Sequence, residues 1–291
     1  MKGVTRMDKV PVVKLANGVE IPQLGIGMMN AHTQEEMDAA VSSALEAGYT
    51  SFDSAYCYKN EKELGISLQK YAKSRQDIFL TSKSRTLRHA YQDAIDTVYQ
   101  QLEDLQTNYL DLYLIHWPLP VKPALYLEAW KACEKLYKDG IIRAIGVSNF
   151  FVRHFQKIME ECKIIPMVNQ IQCQPYYENL EVTDFCRENG IAVESWQPLG
   201  GGVLLQDEKI AAIAHTRGKS PAQIILRWQI QKGFIAIPGS VKPEHIKQNI
   251  DIFDFELTEG EMDTINKMEC QRPILLPIVD EYNPDDFPIL W

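Results

Sequence analysis

The 291 residues are 45% hydrophobic and 24% charged, with 39 acidic against 30 basic side chains and a net charge of −9. That composition is a soluble globule's, and an acidic balance without a basic run excludes a general nucleic-acid binder. No apolar run approaches the roughly 20 residues that cross a bilayer, and the start lacks an apolar secretory region, so a cytoplasmic chain without membrane contact is expected.

A hairpin comes first. Residues 12–21, VVKLANGVEI, form two short alternating runs around Asn17-Gly18, placing it at about 10–21. β-Branched or aliphatic runs then recur at QLGIG (23–27), TSFDSA (50–55), IFLTSK (78–83), YLDLYLIH (109–116), IRAIGVSN (142–149), MVNQIQC (167–173), IAVESWQP (191–198) and FIAIPGS (234–240). Amphipathic stretches separate them. Thr33 and Glu36 form a capping box, and Gly48 stands where that helix stops. Helices are also read at about 60–72, 88–105, 124–138, 151–162 and 179–189. Ser220-Pro221-Ala222-Gln223 supplies an N-cap, a first-turn proline and a box glutamine.

Strands alternating with helices mean βαβ units and a parallel sheet. Eight units in roughly 250 residues fit a closed (β/α)8 TIM barrel better than an open doubly wound sheet. No linker divides the chain, so one domain over 1–291 is expected. Six cysteines (57, 133, 162, 173, 186, 270) lack C-x-x-C spacing and are read as reduced packing residues. Gly25-Ile26-Gly27-Met28-Met29-Asn30 is not G-x-G-x-x-G, and no phosphate-binding P-loop, H-E-x-x-H or G-x-S-x-G occurs. These absences argue against a Rossmann domain.

In a barrel, chemistry sits at the carboxyl ends of the strands. The second run ends at Asp53 with Tyr58 behind it, the third at Lys83, the fourth at His116, and the fifth at Ser148-Asn149. Singly, each has an ordinary explanation: a helix cap, a solvated lysine, a satisfied core histidine. Together they make a proton-delivering set. A lysine ammonium favours the tyrosine's phenolate and so lowers its pKa, and an aspartate keeps the buried lysine charged. A histidine donates to a carbonyl oxygen. The set has neither nucleophile nor metal, so an external hydride donor is its natural complement. Only His116 of six histidines closes a strand, which sets aside a metal-dependent hydrolase.

At these residues the chain resembles the aldo-keto reductases, through DSAYCYKNE (53–61), the lysine of TSK, LIHWP (114–118) and GVSNF (146–150). The resemblance runs from the hairpin to about Asn249. It implies the barrel fold and a nicotinamide cofactor, NADPH or NADH, bound without a Rossmann domain. By position, Tyr58 is the general acid/base, Lys83 its tuner, Asp53 the lysine's partner and His116 the carbonyl orienter. Ser148, Asn149 and Gln170 match the carboxamide-binding positions, although Gln170 fits a buried sheet-end hydrogen bond equally well. Trp196, Gln197 and Leu199 lie in the segment whose tyrosine usually stacks on nicotinamide; here the ring is an indole, which keeps a flat apolar face. Ser240, Val241, Lys242, His245, Gln248 and Asn249 match the adenosine segment.

That segment also departs from the pattern. Where the family commonly has a lysine and an arginine for the 2′-phosphate, this chain has Gly239 and His245, so weak discrimination between NADPH and NADH is expected. Ser84-Arg85-Thr86-Leu87-Arg88-His89 replaces an aromatic loop with a basic one. Met28, Met29 and Trp117 are expected to line the substrate pocket. The tail, about 270–291, matches a variable C-terminal loop by location, with Phe287, Ile289, Leu290 and Trp291 either covering substrate or packing on the barrel. The expected function is reduction of aldehydes or ketones by hydride transfer from nicotinamide C4, with a small carbonyl compound as partner, no metal, and a monomeric chain. The alternative from another class is a nicotinamide-binding sensor with little turnover.

Overall fold

The computed structural model describes residues 10–84, 89–118 and 123–271. Arg85 and Arg88, the start of the helix expected from 88, and nearly all of the expected C-terminal loop lie outside them. Strands β1 (Val12–Lys14) and β2 (Glu20–Pro22) pair antiparallel with Val13 opposite Ile21, as the alternating runs require. At the hairpin tip Asn17 Nδ2 donates to Arg143 O at 2.9 Å, just before a barrel strand begins, so the hairpin caps the barrel's amino-terminal end.

The barrel strands are β3 (Ile26–Gly27), β4 (Ser51–Asp53), β5 (Phe79–Lys83), β6 (Leu112–Ile115), β7 (Ile145–Ser148), β8 (Val168–Gln172), β9 (Ala192–Trp196) and β10 (Ile235–Ile237). All neighbours are parallel, in chain order. The ring closes through parallel bridges between Leu24 and Ala236 and between Gly27 and Gly239. Gly25 N donates to Ala236 O, and Ala236 N to Gln23 O, both at 2.9 Å.

Helices α1 (Gln34–Ala47), α2 (Glu61–Tyr71), α3 (Tyr91–Asp104), α4 (Pro123–Lys138), α5 (Val152–Glu161), α6 (Leu180–Glu188), α7 (Glu208–Arg217), α8 (Pro221–Gln231), α9 (Pro243–Ile250) and α10 (Glu259–Asn266) complete the order. On α1 the buried Met37, Ala40, Val41, Ala44 and Ala47 follow one helical stripe, the capping box of Thr33 and Glu36 forms, and Gly48 ends the helix at φ 101°. Helices α7 and α10 went unread, although Asp207 and Thr258 cap them as an N-cap aspartate and a capping box should.

Packing inside the barrel is close. A Cβ on Gly146 would lie 2.6 Å from Val168 O and 2.8 Å from Leu114 Cδ2, so β7 approaches β8 only with glycine there. At the lower end, buried Asp111 accepts from Leu80 N at 2.9 Å and pairs with Arg75 at 2.8 Å and Arg143 at 2.5 Å. A carboxylate inside the apolar run YLDLYLIH is therefore met by two cations, and it joins β5 and β6 to the start of β7.

Candidate active site

Register places the acid and the lysine side by side. Asp53 aligns with Thr81 on β5, and Lys83 lies two residues on, pointing to the same face. Lys83 Nζ sits 2.6 Å from Asp53 Oδ1 and donates to Ser54 O at 2.8 Å, with no exposed surface. Burial works against the charge of this ammonium; Asp53 and Tyr58 outweigh that and hold Lys83 above the usual lysine range.

Tyr58 ends a short 3-10 turn, Tyr56–Tyr58, behind β4, half-buried, with Lys83 Nζ 5.1 Å from its ring centroid. Lys83 pulls the phenol's pKa down, as expected, yet burial wins and pushes it up to about 12. The expected net lowering is therefore corrected. A phenolate loses more by leaving water than it regains from one ammonium already committed to Asp53. At neutral pH the oxygen carries its proton, the form a donor needs.

The His116 ring lies 6.1 Å from that of Tyr58, at 81°. Burial, then the charge of Lys83 and the proximity of His89, push its pKa well below the usual value, so the imidazole is neutral. Cys57 Sγ is 3.6 Å from Nδ1, and burial, against the pull of Lys83, raises that thiol to about 11. The protonated thiol has a hydrogen to offer Nδ1, and a ring with its own proton on Nε2 can present it to a carbonyl oxygen. The backbone is held from two sides: His116 N donates to Ser84 Oγ at 3.2 Å, and Asn149 Nδ2 donates to His116 O at 3.0 Å.

The remaining motif residues support this set from behind. Asn60 Nδ2 donates to Met28 O and Ala31 O, each at 2.8 Å, fixing the loop after β3. Glu61 accepts from Ser82 Oγ and Gln101 Nε2, and Gln101 also donates to Lys83 O at 3.0 Å. Burial, opposed by those hydrogen bonds, raises Glu61 to about 7. Neither Gln101 nor Ser84 was read from sequence, because helix and loop positions carry no marker of what they reach.

At the ends of β7, β8 and β9 the carboxamide candidates meet. Ser148 Oγ donates to Gln170 O at 2.8 Å, and Asn149 Nδ2 donates to Ser148 Oγ at 3.0 Å. Trp196 Nε1 donates to Asn149 Oδ1 at 2.9 Å. Gln170 Nε2 donates at 2.8 Å to both Asp53 Oδ2 and Glu194 Oε2. Gln197 Oε1 and Gln172 Nε2 are buried without a hydrogen-bond partner among the described residues, and Gln172 aligns with Trp196. One unsatisfied acceptor and one unsatisfied donor beside an indole suit a flat amide-bearing ring. Leu199 packs against the core.

The adenosine candidates stand apart, around α9. Ser240 Oγ accepts from Lys242 N at 3.1 Å; Lys242, His245 and Gln248 are exposed, Val241 is partly buried, and Asn249 is buried. Lys242 occupies the N-cap of α9 without a side-chain cap, so the first amides are open to an anion. Of the expected pocket residues, Met28 is 1% exposed in the core and Met29 is 40% exposed, so Met28 is corrected to a packing residue. Its backbone N donates to Asp53 O at 2.9 Å, which turns the side chain inward. Trp117 is half-buried behind His116.

A family model described as the aldo/keto reductase family matches residues 23–269. The chain is 44% identical over 256 residues to glyoxal reductase of Bacillus subtilis (strain 168), covering 88% of this chain and 92% of that protein. It is 42% identical over 269 residues to methylglyoxal reductase DkgA of Yersinia pestis, covering 91% and 95%. Among solved structures, a Gox0644 variant in complex with NADPH superposes with a TM-score of 0.90 at 34% identity, covering 95% of this chain and all of that one.

Proposed function

The chain belongs to the aldo/keto reductase family and is an NAD(P)H-dependent oxidoreductase that reduces aldehydes or ketones to alcohols, and from that premise we propose that Tyr58, Lys83, Asp53 and His116 carry the chemistry. When bound, the nicotinamide cofactor supplies the hydride. Tyr58 gives its phenolic proton to the carbonyl oxygen, and Lys83 stabilises the phenolate that remains. Asp53 keeps Lys83 charged through the cycle. His116, neutral, directs its Nε2 hydrogen at the same oxygen. In alcohol oxidation Tyr58 acts as base.

The observation that carries this reading is the buried Lys83–Asp53 pair set against the Tyr58 ring. Gln170 Oε1, Ser148 and Asn149 hold the carboxamide, Trp196 lies against the nicotinamide ring, and Gln197, Leu199, Ser240, Val241, Lys242, His245, Gln248 and Asn249 follow the rest of the cofactor. Met29 and Trp117 border the substrate. Small α-dicarbonyl compounds are the proposed substrates, since the relatives named above are a glyoxal and a methylglyoxal reductase. NADPH and NADH are weakly discriminated, because Gly239 offers no cation where a 2′-phosphate would sit. A single cytoplasmic domain acting as a monomer completes the proposal; no helix among the described residues is long and apolar enough to cross a membrane.

The test follows nicotinamide absorbance with glyoxal and methylglyoxal, for wild type and Tyr58→Phe. Turnover in wild type, reduced at least about a hundredfold in Tyr58→Phe while cofactor affinity holds, is expected, since proton transfer alone contributes on the order of 10²–10⁴-fold. Retained turnover in the variant rejects Tyr58 as the donor. The sensor alternative has no observation in its favour.

A further inference from the structure

Glu194 lies mid-way along β9, where IAVESWQP reads as an apolar strand with one odd carboxylate. Its register partner is Gln170 on β8, and both point into the barrel. One nitrogen, Gln170 Nε2, donates to Asp53 Oδ2 and Glu194 Oε2, at 2.8 Å each. The two hydrogens of an amide diverge by about 120°, which sets the two carboxyl groups roughly 5 Å apart. Asp53 is 3% and Glu194 1% exposed. Among the described residues a single cation serves them: Lys83, bonded to Asp53 and not to Glu194.

Two buried carboxylates at that separation do not both ionise beside one ammonium. Asp53 holds the direct ion pair, so Glu194 is the acid that keeps its proton. Asp53 faces it from β4 and Lys83 from β5; its strand neighbours on β8 and β10 are the uncharged Gln170 and Ile235. Helix α6 touches the outer side of the barrel, where Asn169 Nδ2 meets Cys186 Sγ at 3.8 Å. Burial first, and the charge of Asp53 second, raise Glu194 to about 8.

We propose that Glu194 is a specificity-determining residue for the redox state of the cofactor: protonated, it leaves the site neutral and favours reduced nicotinamide; ionised, it favours the cationic oxidised ring. This rests on the placement of nicotinamide beside Gln170. The extra negative charge lies one amide away from the group that holds the ring, so the field acts where the two redox states differ by a full charge. Asp53 does not serve this purpose, because it is paired directly with Lys83 at 2.6 Å.

The experiment measures dissociation constants for NADP⁺ and NADPH by equilibrium titration from pH 6.5 to 9.5, in wild type, Glu194→Gln and Gln170→Leu. Taking their ratio cancels titration of the cofactor's own phosphate. In wild type, NADP⁺ is expected to gain on NADPH by about five- to tenfold across that range. Glu194→Gln, which keeps volume and an acceptor for Gln170, is expected to hold the ratio within about twofold. A flat wild-type ratio, or the same slope in Glu194→Gln, overturns the proposal. If Gln170→Leu leaves both affinities unchanged, the carboxamide placement fails instead, which is a separate result.

Discussion

Trp196 Nε1 donates to Asn149 Oδ1 at 2.9 Å, and Asn149 in turn donates from Nδ2 to His116 O and Ser148 Oγ. The indole therefore does more than present a flat face. It anchors the amide that steadies the backbone of His116, a connection a tyrosine ring at this position would make only through a differently placed hydroxyl. Removing the ring should weaken cofactor binding; Trp196→Ala is expected to raise the cofactor dissociation constant about tenfold, and Trp196→Phe less, since aromatic contacts contribute about 0.5–1.5 kcal/mol. Fluorescence-independent calorimetric titration reads this. Equal affinities for all three proteins would show that Trp196 has no part in holding the cofactor.

Asp53 should prove as important to folding as to catalysis. Asp53→Ala leaves the Lys83 ammonium buried with Ser54 O as its remaining partner, which costs about 3–5 kcal/mol. The double variant Asp53→Ala/Lys83→Met is expected to regain most of that loss in urea titration, while remaining inactive. If the double variant is no more stable than the single one, the buried unpaired charge is not the cause.

Cofactor preference should move with two substitutions. A Cβ on Gly239 would sit 3.3 Å from Gly27 O and 3.6 Å from Asn30 Nδ2, so a side chain there requires a small local shift. Gly239→Lys with His245→Arg restores two cations near the 2′-phosphate and is expected to raise the NADPH-over-NADH ratio of kcat/KM by about ten- to a hundredfold, the scale of charge-assisted bonds worth about 1.5–3 kcal/mol. A wild-type ratio already above a hundredfold contradicts the reading of this segment.

Glu61 should make stability fall with rising pH. Its folded pKa of about 7 lies above the ordinary 4.5, so the folded chain holds a proton that the unfolded chain has released between those values. The group's contribution is full below 4.5, declines as pH rises to about 7, and then levels, a difference on the order of 3 kcal/mol. Glu61→Gln removes the titration, so the stability of wild type relative to this variant should drop between pH 5 and 8 in urea unfolding. A constant difference would count against a protonated Glu61.

Much of this was legible because the barrel rewards period and position. Apolar runs ending in Asp53, Lys83, His116 and Asn149 mark both the strands and the ends where the candidate site gathers. What the chain hides are the groups whose role depends on which way a strand faces. Glu194 looks like a stray polar residue until register turns it inward beside Gln170, and Met28 looks like a pocket residue until Met28 N bonds to Asp53 O. Tyr58 shows a different limit: the motif names the lysine that lowers its pKa, and only packing reveals that burial prevails.

The seam between β3 and β10 joins opposite ends of the chain, Leu24 to Ala236 and Gly27 to Gly239. Tyr58, Lys83 and His116 leave the ribosome long before the segment around α9, so a nascent chain carries every proposed proton-transfer group yet has neither a closed ring nor the proposed adenosine site. Competence for turnover arrives late in synthesis, and an elongating chain is kept from acting on carbonyl compounds until its final strand is in place.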